Sequence, residues 1–244
     1  FAIRRSNLSD EDVVDAVRWA RDNGLKVSTE MIFGLPYESK ESFLDALEYV
    51  MQRKIDTIAA YNLFLLKGIE LNRAPERQRF GLRTQFRPSF SSSYGLVDGE
   101  FVCESEEVVV ASSHFSFDDF MDVRKISLLF YAVNAAEYFK RVVNYLVDNQ
   151  LEVVPLLDQL MNPSPDDADI PEYIQFVRDF TFAAESELHD SHESVCEHLR
   201  ERFVRDGNRV SQPARLNVWY TARLIYQEKW LGRVVLRLLR QRGL

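Results

Sequence analysis

Three side chains that can bind metal ions lie close together near residue 190. His189, His192 and Cys196 are separated by three and four residues, so a helix would place them on one face. Imidazole and thiolate groups are common ligands of zinc. The same spacing arises often by chance in a polar helix, and we therefore predict an exposed acidic helix here and no metal site.

Glu30 is a second candidate, because its carboxylate interrupts the mainly apolar run of residues 25–33. An ionised carboxylate inside a packed sheet needs a cation or hydrogen-bond donors. Lys54, Lys67 or a loop arginine could supply the cation, and Glu30 would then be structural. A bound ligand could equally supply the partner, so the residues alone leave both interpretations open.

Two further charged sets could bind ligands, although a solvated surface is the favoured interpretation of both. Guanidinium groups in residues 72–93 could hold a phosphate or carboxylate through paired hydrogen bonds. Carboxylates near residues 104–119 could bind a hard cation or act in acid–base catalysis. The two sets are Arg73, Arg77, Arg79, Arg83 and Arg87, and Glu104, Glu106, Glu107, Asp118 and Asp119.

The elements that position these residues begin with a helix, strand, helix, strand pattern. A first helix begins after Ser9, and residues 25–33 form a strand that should be buried on both faces. A second helix begins near Ser39, and residues 57–66 form a second strand. Short connections of this kind are typical of a β/α barrel or a doubly wound sheet.

The rest of the chain is predicted to contain a loop, a hairpin and then helices. Asp98-Gly99 is a two-residue hairpin signal, and residues 107–112 could form one more strand. Helices are predicted over residues 120–147, 171–182, 186–205 and 213–242. We divide the chain into residues 1–75, a connection over residues 76–115, and a helical domain over residues 116–244.

The composition of the chain excludes several classes of protein. With 46% hydrophobic residues the chain can bury a sizeable core, and it has no apolar run long enough to span a membrane. The formal net charge of −8 argues against general nucleic-acid binding. Cys103 and Cys196 cannot form a disulfide framework, so we expect a cytoplasmic protein. The basic last helix should pack on the acidic residues 148–206 rather than on a membrane.

The two predicted strands and their turns resemble part of the radical S-adenosylmethionine enzymes. Residues 27–39 (VSTEMIFGLPYES) and 61–71 (YNLFLLKGIEL) resemble the fifth and sixth strands of that family's barrel. Those strands usually end in GLPGET-like and PGTxL-like turns. Tyr37 stands where the family often has glycine, and Ile69-Glu70 where it often has Thr-Pro.

The resemblance implies an α/β fold: the last β/α units of a partial (β/α) TIM-like barrel, a small β-hairpin region and a mainly α-helical C-terminal domain. Enzymes of this family bind a [4Fe-4S] cluster through a CxxxCxxC loop, which this sequence lacks. The sequence also begins at Phe1 rather than Met. We therefore expect the C-terminal portion of an enzyme, inactive alone, whose cluster is held by an N-terminal half outside this chain.

The resemblance also implies contacts with S-adenosylmethionine. Ile32 would pack near the adenine, Glu30 would make a polar contact, and Gly34 would allow close approach of the ligand. Leu63 and Phe64 would lie on the adjacent strand. No catalytic residue is assigned.

A weaker resemblance extends over Tyr94-Gly95, residues 104–109 and residues 117–124. These segments are similar to the region after the barrel in cobalamin (B12)-domain radical enzymes of cell-surface carbohydrate pathways. This implies a B12-dependent enzyme that makes a carbon-centred radical and acts on a small-molecule or carbohydrate-pathway substrate. The alternative is a non-catalytic helical module that binds a protein or a membrane surface.

Overall fold

The computed structural model describes residues 9–89, 94–134, 136–209, 216–227 and 229–244. The strands are β1 (Ser28–Phe33), β2 (Thr57–Asn62), β3 (Arg83–Pro88), β4 (Tyr94–Val97), β5 (Glu100–Cys103) and β6 (Ser105–Ala111). The helices are α1 (Asp10–Asp22), α2 (Lys40–Gln52), α3 (Ala74–Phe80), α4 (Phe117–Asn134), α5 (Lys140–Asp148), α6 (Val154–Leu160), α7 (Pro171–Ser186), α8 (His192–Arg205), α9 (Leu216–Tyr226) and α10 (Leu231–Gln241).

The predicted β/α unit is present. β1 and β2 are parallel, paired in register from Ser28 opposite Thr57 to Phe33 opposite Asn62, and α2 connects them. The hydroxyl of Ser39 accepts a hydrogen bond from the Ser42 amide at 3.2 Å and so caps α2, as predicted. Both strands are shorter than predicted, since residues 25–27 and 63–66 lie outside the parallel pairing of β1 and β2.

The turn after β1 requires two unusual backbone conformations. Gly34 has a φ of 99° and Tyr37 a φ of 69°. Glycine, which the resembling family often has at this position, adopts a positive φ without strain. Tyr37 packs edge-on against Phe80 and His114, with ring centroids 5.4 and 5.2 Å apart. The Glu38 carboxylate accepts from the amides of Gly34 and Leu35 at 2.7 and 3.3 Å, and burial raises its pKa.

The barrel prediction holds only in part. Within the described residues the strands form three two-stranded sheets, and none of them closes into a barrel. One face of β1 is exposed, whereas a strand inside a complete barrel would be covered on both faces. The β/α unit therefore presents a free strand edge and an open sheet face.

The arginine-rich residues 72–93 were predicted to be loop, and this is wrong for their described part. They form a short 3₁₀ helix (Glu70–Asn72), α3 and β3, and β3 pairs antiparallel with β6. The predicted hairpin is confirmed: β4 pairs with β5 around Asp98 and Gly99, whose φ angles of 51° and 84° suit a tight turn. Residues 90–93 lie outside the described ranges.

The helical part is confirmed, with different divisions. The helix predicted over residues 120–147 is two helices, α4 and α5, separated near Phe139, which has a φ of 59°. The helix predicted over residues 213–242 is α9 and α10, and its predicted start lies outside the described residues. Helix α6 has no counterpart in the prediction.

One hydrophobic cluster extends from Val17 of α1 to Leu238 of α10, so the β/α unit and the helices share a core. A carboxylate also connects them: Glu48 of α2 accepts from the amides of Val153 and Val154, at 3.0 and 2.7 Å, where α6 begins. The three-part division of the chain stays a prediction. None of the helices in the described ranges is long and apolar enough to cross a bilayer.

A smaller cluster attaches the β4–β5 hairpin to α8. Tyr94 and Phe101 pack on Phe203, with ring centroids 6.4 and 5.7 Å apart. Cys103 at the end of β5 is joined to Cys196 of α8 by a disulfide, which the sequence analysis did not predict. The cytoplasmic location stays a prediction.

Candidate functional site

Glu30 and Ile32 lie on the open face of the β1–β2 sheet. Ile32 is 40% exposed, and its register partner Tyr61 is 38% exposed. Glu30 is also exposed, and no described residue forms a hydrogen bond or ion pair with it. Lys54, one proposed partner, instead pairs with Asp148. The carboxylate is thus available to a ligand.

The other three predicted ligand contacts are more enclosed. A Cβ placed on Gly34 would meet Phe115 at 3.4 Å and Leu63 at 3.5 Å, so the side chains that approach this glycine belong to the protein core. Leu63 is buried. Phe64 is half-buried, and the Arg87 guanidinium lies 5.1 Å from its ring centroid. The roles of all five residues stay predictions, and Glu30 and Ile32 are the two that are exposed.

A cleft of about 760 Å³ runs along the whole length of β2. Its walls come from β2 on one side and from helices α4, α7, α8 and α9 on the other. Tyr61 lines the cleft and also belongs to the open face that carries Glu30 and Ile32. Apolar wall residues from the helices include Phe130, Phe182 and Trp219.

Two buried arginines line this cleft. The side chains of Arg87 and Arg124 are 5% and 9% exposed, and they pair with Glu106 at 3.3 Å and Glu187 at 2.9 Å. Burial, with a smaller contribution from the positive charge of Arg87, lowers the pKa of Arg124 to about 10, although the carboxylate of Glu187 opposes this shift. The two cations therefore repel each other, and each of them is neutralised by its own carboxylate partner.

Two histidines also line the cleft. The rings of His189 and His198 have centroids 5.2 Å apart. Burial lowers the pKa of His189, and the charge of His198 lowers it further. The backbone of His189 exchanges hydrogen bonds with Phe86 of β3, at 2.8 and 2.7 Å, and this fixes its position.

The structure separates the three candidate metal ligands His189, His192 and Cys196, for which the sequence predicted no metal site. His189 faces the cleft, whereas His192 contacts Cys196, with Nε2 3.4 Å from Sγ. His192 and Cys196 instead lie beside Cys103, with one potential ligand atom of each residue within 4.8 Å of the others, and the two sulfur atoms are joined in the disulfide.

The remaining charged sets mostly make structural contacts. Glu107 pairs with Arg77 at 2.6 Å, and Asp119 bonds to Ser116 at the start of α4. In the last helix, Arg237 pairs with Asp167 and Asp169 at 3.2 and 2.9 Å, which confirms packing on the acidic segment.

Arg124 was missed by the sequence analysis, although a signal exists. It lies between Val123 and Lys125 in a helix whose following residues are mainly apolar, and a cation buried there needs a partner. Its partner Glu187 is 63 residues away, and local patterns cannot identify such a pair.

No protein-family profile matches the chain. The chain is 42% identical over 53 residues to the oxygen-independent coproporphyrinogen III oxidases of two Helicobacter pylori strains. The matched segment is 21% of this chain and 12% of each relative. The similarity is therefore partial, and it connects about a fifth of the chain to one kind of oxidase.

Proposed function

We propose that the chain is the C-terminal portion of a radical S-adenosylmethionine enzyme. The observation that carries the proposal is the parallel β1–α2–β2 unit, whose open face holds an unpaired carboxylate, Glu30. The partial similarity to oxygen-independent coproporphyrinogen III oxidases supports it, because those oxidases are radical S-adenosylmethionine enzymes. That similarity gives no support to cobalamin dependence, which stays a prediction.

The residues of the open face fit S-adenosylmethionine chemically. The exposed side chains of Ile32 and Tyr61 offer an apolar surface for a planar adenine. Glu30 offers an acceptor for a ribose hydroxyl or for the ammonium group of the methionine part. Apolar area beside one charged group is typical of a small-molecule site.

The residues of this chain do not fit an iron–sulfur cluster. Such clusters are held by several cysteine thiolates, and the two cysteines here are joined to each other. In the proposed enzyme, residues outside this chain would hold the cluster, which would supply the electron for cleavage of S-adenosylmethionine. We expect no such cleavage from this chain alone.

We further propose that the cleft beside β2 binds the substrate. Its contact with Tyr61 would bring a bound molecule next to the open face. Arg87 and Arg124 favour a substrate with a carboxylate or phosphate, because guanidinium groups pair with both through two parallel hydrogen bonds. The substrate class is therefore a small anionic molecule with an apolar body that fits against Phe182 and Trp219.

The test is a Glu30→Gln substitution in the complete enzyme that this proposal implies, reconstituted without oxygen. Loss of a charge-assisted hydrogen bond should weaken S-adenosylmethionine binding by about 1.5–3 kcal/mol, or roughly 10- to 150-fold in Kd. Glu41→Gln, an exposed change on α2, is the matched control. Titration calorimetry and 5′-deoxyadenosine production would measure both steps. Equal binding by the Glu30 and Glu41 variants would refute the assignment of Glu30.

A further inference from the structure

The strongest cluster outside the cleft joins the β4–β5 hairpin to α8. Cys103 and Cys196 have Cα atoms 5.6 Å apart and share a disulfide. His192, the first residue of α8, points its imidazole at the same place. One ligand atom from each of the three residues falls within 4.8 Å of the others. Two thiols and an imidazole are a common part of zinc sites.

His192 is held in a suitable orientation. Its Nδ1 lies 2.9 Å from the hydroxyl of Ser105, and its Nε2 lies 3.4 Å from the sulfur of Cys196. A proton on Nδ1, donated to Ser105, leaves the Nε2 lone pair directed at the sulfur atoms. Histidines that bind metals usually donate their second ring nitrogen in this way, and the partner fixes the tautomer and the ring.

The three residues do not depend on the disulfide alone for their proximity. The hairpin packs on α8 through Tyr94, Phe101 and Phe203. The first turn of α8 is fixed by Ser191, whose hydroxyl accepts from the Ser194 amide at 3.2 Å. Opening the disulfide should therefore leave both sulfur atoms near the imidazole.

The cluster is also accessible. Cys103 and Cys196 are half-buried and His192 is exposed, so a reductant and a metal ion can both reach it. By contrast, a disulfide enclosed in a core would be protected from exchange with external thiols.

We propose that reduction of the Cys103–Cys196 disulfide creates a Cys₂His zinc site, with water as the fourth ligand. A dithiol reductant supplies two electrons and two protons, the S–S bond breaks, and the reductant becomes a disulfide. Zn²⁺ then binds the two sulfur atoms as thiolates and releases their two protons to solvent. The oxidised pair offers no thiolate, so the redox state decides whether the metal binds. This inference is independent of the proposed enzymatic function.

The test titrates ZnCl₂ into the chain before and after reduction with a water-soluble phosphine, with a chromophoric chelator as competitor. We expect one zinc per reduced chain and none held by the oxidised chain. Co²⁺ in place of Zn²⁺ should give thiolate-to-metal charge-transfer absorption. Circular dichroism on the same samples reports whether the reduced chain stays folded.

Three variants assign the ligands. His192→Ala should lose zinc affinity, and Ser105→Ala should lose about 10-fold because it removes the hydrogen bond that orients the imidazole. His198→Ala is the control, since it removes a histidine from the same helix but outside the cluster. Zinc binding that is equal in the His192 and His198 variants would overturn the proposal. So would an absence of zinc binding by the folded reduced chain, or unfolding of the chain on reduction.

Discussion

Replacing Glu187 with glutamine should destabilise the protein, because it removes the carboxylate that neutralises the buried Arg124. The Arg124 side chain is 9% exposed and the Glu187 side chain 32%. Burial and the nearby charge of Arg87 already hold the Arg124 pKa at about 10. Without Glu187, the buried guanidinium of Arg124 would lose the carboxylate that pairs with it and would still lie near the positive charge of Arg87.

The expected cost lies between two limits. Breaking a fully buried ion pair costs about 3–5 kcal/mol, whereas breaking an exposed pair costs about 0–1 kcal/mol. Because solvent partly screens Glu187, we expect the Glu187→Gln variant to lose about 2–3 kcal/mol of unfolding free energy. For a protein of this length each kcal/mol lowers Tm by about 2–4 °C, which corresponds to a drop of roughly 5–10 °C.

Scanning calorimetry and urea unfolding would measure this loss. Asp15→Asn is the control, because it breaks the exposed pair with Arg18, whose side chains are 67% and 72% exposed. The double change Arg124→Met with Glu187→Leu should restore much of the stability, since no unpaired charge remains. If Glu187→Gln is as mild as Asp15→Asn, Arg124 is solvated through the cleft and the argument for a buried cation fails.

Three further outcomes are expected. Urea unfolding should show a loss of about 1 kcal/mol of unfolding free energy for Ile32→Ala and about 3–5 kcal/mol for Phe33→Ala. The reason is that the Ile32 side chain is 40% exposed and the Phe33 side chain 1%. Equal losses would mean that the exposed face of β1 is packed. Tyr37→Gly should be about 1 kcal/mol more stable than Tyr37→Ala. Both variants lose the ring, but only alanine is strained by the positive φ at this position. A more stable alanine variant would contradict this. A hydrogen bond from Arg223 lowers the pKa of Asp179 in the folded protein. The ion pair therefore stabilises the folded state fully above a pH of about 4, and this stabilisation is lost as the pH falls through the folded pKa. The Tm difference between the parent and Asp179→Asn should therefore shrink in acid, and a constant difference would argue against the ion pair.

The β/α unit could be predicted from sequence because its signals are local. The apolar run before Gly34, the turn at Pro36 and the capping hydroxyl of Ser39 lie within a few residues of each other. The hairpin at Asp98-Gly99 is equally local. Each of these signals depends on backbone conformations that the residue types themselves favour.

Other features depend on partners far away in the chain. Strand β3 is polar, and it forms because β6 pairs with it while Glu106 neutralises Arg87. The break between α4 and α5 lies near Phe139, which has a left-handed backbone although it is not glycine. No glycine or proline marks this break in the sequence. Cys103 and Cys196 are 93 residues apart, and folding alone brings them together. The cleft lined by Arg87 and Arg124 likewise forms from residues that are far apart in the chain.

The carboxylate of Glu48 makes the start of α6 conditional on α2. Helices usually take their first hydrogen-bond acceptor from a neighbouring residue of the same segment, but α6 takes it from a helix more than 100 residues earlier. Removing the β/α unit would leave the amides of Val153 and Val154 without this acceptor. The helical portion is thus not a freely transferable module: recombination onto another scaffold would succeed only if the new neighbour brought its own acceptor to this helix end.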